Sequence, residues 1–215
     1  DVVDGDDAIL PGTAGDDDSI EAGGGADTID AGAGHDTIRA GAGDDVATGG
    51  AGDDLVDGGA GADTLAGGAG DDSVLGGAGD DVLRVAQTET GSDTLRGGDD
   101  ADRIEIDSLA GDHVVAGGEG GDDRDMLDLS GAPGPVDATL TGDEAGTVAG
   151  PAGSGSTTFS EIESLRLTTG ADSFDGTAAA APAEVDGGAG ADTLAGGDGA
   201  DTLRGGDDAD FFVGG

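Results

Sequence analysis

From Ala22 to Arg84 the chain reads AGGGADTID, AGAGHDTIR, AGAGDDVAT, GGAGDDLVD, GGAGADTLA, GGAGDDSVL and GGAGDDVLR, seven nine-residue units without one slip of phase. The common pattern is G-G-x-G-x-D-x-U-x, where U is apolar. It returns at Gly187 as GGAGADTLA, GGDGADTLR and GGDDADFFV. A period this regular is the mark of a stacked repeat architecture in which neighbouring units share one core.

Each position of the unit has a physical task. Glycines at positions one, two and four are expected to permit positive φ and to bring backbone carbonyls inward. Position six is Asp27, Asp36, Asp45, Asp54, Asp63, Asp72 and Asp81 in turn. A carboxylate framed by carbonyls is a hard oxygen donor set, which suits calcium better than a softer transition metal. Position eight is Ile29, Ile38, Ala47, Val56, Leu65, Val74 and Leu83, and a side chain there can enter a narrow core. The unit therefore reads as a turn followed by a short strand, and the fold class is all-β.

A turn and a strand reverse the chain, so two units make one coil and each turn stacks on the turn eighteen residues later. Aspartates then pair as Asp27 with Asp45, Asp36 with Asp54, Asp45 with Asp63, Asp54 with Asp72 and Asp63 with Asp81; Asp192 and Asp210 stand in the same relation. A cation between two stacked carboxylates removes a repulsion that otherwise opposes stacking.

With phase, glycines, aspartate and apolar position in agreement, the sequence resembles the RTX, or hemolysin-type calcium-binding, repeat family. The resemblance implies a right-handed parallel β-roll, a calcium-bound β-solenoid with ions in two rows between the turns, and export by a type I secretion system. It implies side-chain calcium ligands at the sixth-position aspartates above and, by the same reading, at Asp18, Asp93, Asp102, Asp172, Asp192, Asp201 and Asp210. It implies backbone-carbonyl ligands at Gly49, Gly52, Gly58, Gly61, Gly67, Gly70, Gly76, Gly79, Gly187 and Gly190. Six or more calcium ions are expected.

The organisation along the chain follows the pattern. Residues 1–84 form the first block, which opens close to register at Asp7 and Ile9. Residues 85–128 hold degenerate units: Val85 to Gln87 is an insertion, Asp93 and Asp102 keep the sixth position, His113 replaces a carboxylate and weakens or removes its site, and three extra residues precede Asp125. Residues 129–170 lack the nonapeptide yet alternate in a strand-like way at Val136, Ala138 and Leu140, then at Phe159, Ile162, Leu165 and Leu167. Stretches of the form DLSGA and FSEIE resemble spacers that interrupt such repeats. This segment is predicted to form longer β-coils, an irregular β-helical middle with residues 150–155 as an exposed loop; a small separate domain is the alternative. Residues 171–215 form the second block.

Composition sets the conditions. A formal charge of −42 with four Phe and no Trp or Tyr leaves little core to oppose self-repulsion. Low-complexity disorder thus describes the metal-free chain, but it gives no reason for an apolar residue at every ninth place, so calcium binding and folding are expected as one event. There is no Cys to crosslink the fold. All seven cations are Arg, and the fifth-position residues Asp44, Asp53, Asp71 and Asp80 add outward negative charge. An acidic surface excludes nucleic acid as a natural partner. No apolar run approaches the length of a membrane span; Ala178 to Ala181 is far too short. The absence of an initiating Met and of an N-terminal signal agrees with leaderless export or with a trimmed fragment.

Catalytic equipment is sparse. His35 lies in the variable fifth position and is expected to face solvent; His113 reads as a degenerate ligand position, not a base. The carboxylate pairs resemble glycosidase pairs, but a rod of identical turns offers no cleft. The chain is therefore read as no enzyme but a secreted, extracellular or cell-surface calcium-binding structural β-roll, part of a surface, matrix, adhesin or filament. The alternative is an accessory module of a secreted enzyme or toxin whose catalytic domain lies elsewhere. Ligand binding by a flat face ranks last, because position three is mostly Ala. The terminal DADFFVGG, with Phe211 and Phe212, points to copies associating end to end.

Overall fold

A computed structural model describes residues 8–9, 15–118, 120, 124–152 and 154–214; Asp7 lies outside them. They form 22 strands and no helix. Strands alternate between a ten-stranded and a twelve-stranded sheet, so that the chain winds through a solenoid of about eleven coils.

Between Ser19 and Val85 each strand runs four to six residues. Thr64–Ala69 and Ser73–Ala78 run from position seven of one unit through position three of the next. Alternation along the strand explains the unit. In Thr64–Ala69, Leu65 and Gly67 face the interior while Thr64 and Ala66 face outward. The same parity turns Asp63 inward as well.

Pairing between coils is parallel and keeps like positions together, Leu65 on Leu83 and Gly50 on Gly68. The insertion after Arg84 lengthens a turn and leaves the register intact: Val74 pairs with Leu95, twenty-one residues on. The position-eight residues stack into a column running from Ile20 to Leu194, almost fully buried throughout. Ala47, the smallest of them, sits between Ile29 and Leu65.

Residues 129–170 depart from expectation. Instead of longer coils, Asp137–Gly142, Ala145–Ala149 and Ser156–Ser160 form an antiparallel meander within the twelve-stranded sheet. The last of these pairs in parallel with His113–Ala116, and the first pairs in parallel with Ser173–Asp175. The opposite sheet runs past with no added strand, Met126–Asp128 pairing directly with Ser164–Arg166. The meander is no separate domain, since Ala138, Leu140, Val148 and Phe159 join the common core. Apolar alternation fits a parallel coil and an antiparallel strand equally well, which is why the pattern did not distinguish them. Pro151, Ala152 and Ser154 form an exposed turn between the second and third of these strands.

Among the described residues no helix is long and apolar enough to cross a membrane.

Candidate functional site

Because positions six, eight and one share the inward parity, the sixth-position carboxylates from Asp27 to Asp102 are buried inside their turns. Its Oδ1 accepts the backbone N–H of the aspartate one coil earlier: Asp27 donates to Asp45 at 2.7 Å, and Asp36 to Asp54, Asp45 to Asp63, Asp54 to Asp72 and Asp63 to Asp81 at 2.8 Å each. The ladder continues beyond the insertion, with Asp72 on Asp93 at 3.0 Å, Asp81 on Asp102 at 2.9 Å and Asp102 on Asp125 at 2.8 Å. Two rows result, one along each edge of the solenoid.

The second carboxylate oxygen is the informative one. In Asp36, Asp45, Asp54, Asp63, Asp72 and Asp81 the Oδ2 is buried and meets no hydrogen-bond donor. A buried, unsatisfied anionic oxygen is costly unless a cation completes it. Burial accordingly pushes the carboxyls of Asp45, Asp54 and Asp63 upward against their backbone hydrogen bonds, and those of Asp72 and Asp81 to about 7.

Backbone carbonyls stand beside these oxygens. A Cβ built on Gly49 would meet Asp54 Oδ2 and the carbonyl of Gly67; on Gly58 it would meet Asp63 Oδ2 and the carbonyl of Gly76; on Gly187, Asp192 Oδ2 and the carbonyl of Gly205. This corrects one expectation. Positions two and four do take positive φ, +121° at Gly50 and +128° at Gly52, but Gly49 does not; position one is glycine for space. Where it is Ala22, Ala31 or Ala40, the methyl is buried. The position-four carbonyls of Gly52 and Gly61 project instead toward Gly70 and Gly79 of the next coil. Among the described residues no three carboxylate or imidazole side chains converge. An ion here would thus be held by carboxylates of successive coils together with carbonyls, an all-oxygen donor set of the kind calcium takes.

The family model of the RTX calcium-binding nonapeptide repeat matches residues 12–47, 31–65, 48–83, 85–107 and 186–215, together more than half of the chain. The chain belongs to this family. Among curated proteins no significant match is found.

The RTX ladder is not uniform. Asp18 joins it through Asp36, 2.6 Å away. At the degenerate unit, His113 is buried; its Nδ1 accepts the N–H of Asp93 at 3.2 Å, as an aspartate oxygen does elsewhere, and its Nε2 donates to the Ser108 carbonyl at 3.1 Å. The imidazole thus replaces the rung but brings no second oxygen. Asp93, His113 and Ser108 have the composition of a nucleophilic triad, yet the Ser108 hydroxyl donates to the Glu89 carbonyl and does not meet the imidazole.

Asp172, one of the expected ligands, is engaged from within the chain: Val136 N–H donates to its Oδ1, Thr168 N–H to its Oδ2, and the Thr168 hydroxyl reaches both. Asp192 and Asp210 keep the repeat geometry, and Asp201 accepts from Ala183 at 3.0 Å. Asp125, outside the expected ligand set, is fully buried in the ladder; its signal was the strand MLD that follows it.

Sequence reasoning missed a second, outer ladder. Fifth-position side chains accept the N–H of the next coil's fifth residue: Asp44 from Ala62, Asp53 from Asp71, Asp71 from Ser92. His35 does the same, its Nδ1 accepting from Asp53 at 2.9 Å while the ring remains exposed. The preference for Asp there is hydrogen bonding as well as charge.

Proposed function

We propose that this RTX chain is a secreted structural β-roll that folds on calcium after export, serving a bacterial surface, matrix, adhesin or filament. The observation that carries this reading is the buried second oxygen of the sixth-position aspartates, repeated coil after coil beside a backbone carbonyl. An array of such groups opposes folding without a cation and supports it with one, so calcium affinity is folding free energy. Affinity in the extracellular range, micromolar to millimolar, keeps the chain unfolded in a calcium-poor cytosol. No catalytic role is assigned. The second reading is an accessory module of a secreted enzyme or toxin, favoured by the same repeats and distinguished by what adjoins them. Exposed Phe211 and Phe212 on the last coil support association through that end, whether with further chain or with a second copy.

Chelation tests the main reading. With calcium the radius of gyration should be roughly 17 Å, and in excess EDTA it should rise toward roughly 50 Å, with loss of the β-type circular dichroism. A β-rich, compact chain in EDTA at pH 7.5 would refute it.

A further inference from the structure

We propose that one calcium row continues past the repeats, through a site built by Asp125, the carbonyl of Glu161 and the carboxylate of Glu163. The proposal rests on the calcium reading of the repeats.

Three features of the regular turn recur here, between the last degenerate unit and a turn that carries no repeat. In the regular turn, the sixth-position carboxylate accepts the N–H of its counterpart one coil earlier. Glu163 Oε2 accepts the N–H of Asp125 at 2.6 Å, just as Asp125 accepts that of Asp102. Next, the first-position glycine faces both its own aspartate's Oδ2 and the first-position carbonyl of the following coil. A Cβ built on Gly117 would meet Asp125 Oδ2 and the carbonyl of Glu161. Last, the strand register places the residues alike: Met126 pairs with Ser164, so Asp125 and Glu163 both occupy position six.

The difference lies in turn length. Gly76 to Asp81 spans six residues between positions one and six, whereas Glu161 to Glu163 spans three. Glu161 takes a left-handed φ of +57°, and Ile162 is buried beneath the turn. A tighter turn holds its sixth position differently, and the extra methylene of glutamate supplies reach that aspartate lacks. FSEIE is on this view a compact calcium turn, with glutamate where the nonapeptide has aspartate. The row is interrupted one coil later, since Ser164 pairs with Glu184 and position six there is Ala183, and Asp201 resumes the ladder on the coil after that.

Glu163→Gln tests this, because the amide oxygen can still accept the Asp125 N–H while the charge is gone. Calcium bound per full chain, counted by native mass spectrometry and by equilibrium dialysis, should fall by one ion, with the β-type circular dichroism retained. An unchanged count in a folded variant overturns the site and leaves the repeat sites standing. A wild-type chain that takes up no calcium overturns the repeat reading itself. Should the variant not fold, lanthanide-soaked crystals of the unaltered chain decide: an anomalous peak between Asp125 and the Glu161 carbonyl is expected. Peaks between the regular turns with none there would overturn the proposal.

Discussion

At the scale of single residues the sixth-position aspartate has two separate tasks, one for each oxygen. Oδ1 ties its coil to the one before, and Oδ2, buried without a hydrogen-bond donor, is the atom proposed to take a cation. Asp63 lies between Asp45 and Asp81 in its row, so Asp63→Ala should cost the chain two bound calcium ions. His35→Ala removes one exposed outer acceptor and should leave the ion count unchanged; native mass spectrometry of both variants checks the contrast, and equal losses would mean the register is wrong. The raised carboxyls also set a pH dependence. In the metal-free fold Asp72 and Asp81 hold protons up to about 7, against 3.8 when unfolded. Their contribution to metal-free stability is therefore fully present below 3.8 and lost as pH rises through about 7. A chelated chain should gain β-type circular dichroism on acidification from pH 7 to 4. Protons and calcium compete for the same oxygens, so more calcium should be needed to fold the chain at pH 5 than at pH 7.5. A chelated chain with a flat spectrum across that range contradicts the assignment.

At the scale of strands, outward positions carry a second source of order. Arg103 donates to Asp128 Oδ2 at 2.6 Å across the ten-stranded sheet, and Asp128 is buried. Burial alone would raise the Asp128 carboxyl, but Ser130 and Arg103 together hold it below its ordinary value. Arg103→Ala removes the closest cation from the buried Asp128 carboxylate, leaving Ser130 and, 3.9 Å away, Arg166, and should destabilise the calcium-loaded chain by about 1–3 kcal/mol. Arg39 and Glu21 form a half-exposed pair 3.7 Å apart, and Arg39→Ala should cost about 0–1 kcal/mol. Thermal melts at saturating calcium compare the two. The strands themselves were legible, because the position-eight residues repeat in phase and each coil copies its neighbour. The meander was not, since Val136 to Phe159 shows which residues are inward but not in which direction their strands run.

At the scale of the whole molecule, charge is divided by geometry. Six of the seven arginines lie on strands, while the fifth- and sixth-position aspartates concentrate negative charge on the two turn edges. Lateral approach of two copies edge to edge is therefore repulsive unless divalent ions intervene. The last described coil differs: Phe212 pairs with Leu194 in the core column, yet it is 49% exposed, and Phe211 is 64% exposed. Axial association should bury both. Sedimentation velocity across a calcium titration is expected to show growth at saturating calcium, lost in Phe211→Ser/Phe212→Ser. A chain that stays monomeric at high concentration would remove the association and leave the module reading.

The nonapeptide by itself determined the all-β solenoid, the eighteen-residue stacking and the inward aspartates, because each follows from a local period of nine and a side-chain alternation of two. Tertiary structure alone decided the rest. Whether Asp172 faces a cation or Thr168, whether His113 completes a rung, and whether Glu163 takes the sixth position depend on which coil lies above and below. That adjacency is set by turn lengths and by the meander, which place residues far apart in sequence at hydrogen-bonding distance and leave no trace in the repeat itself.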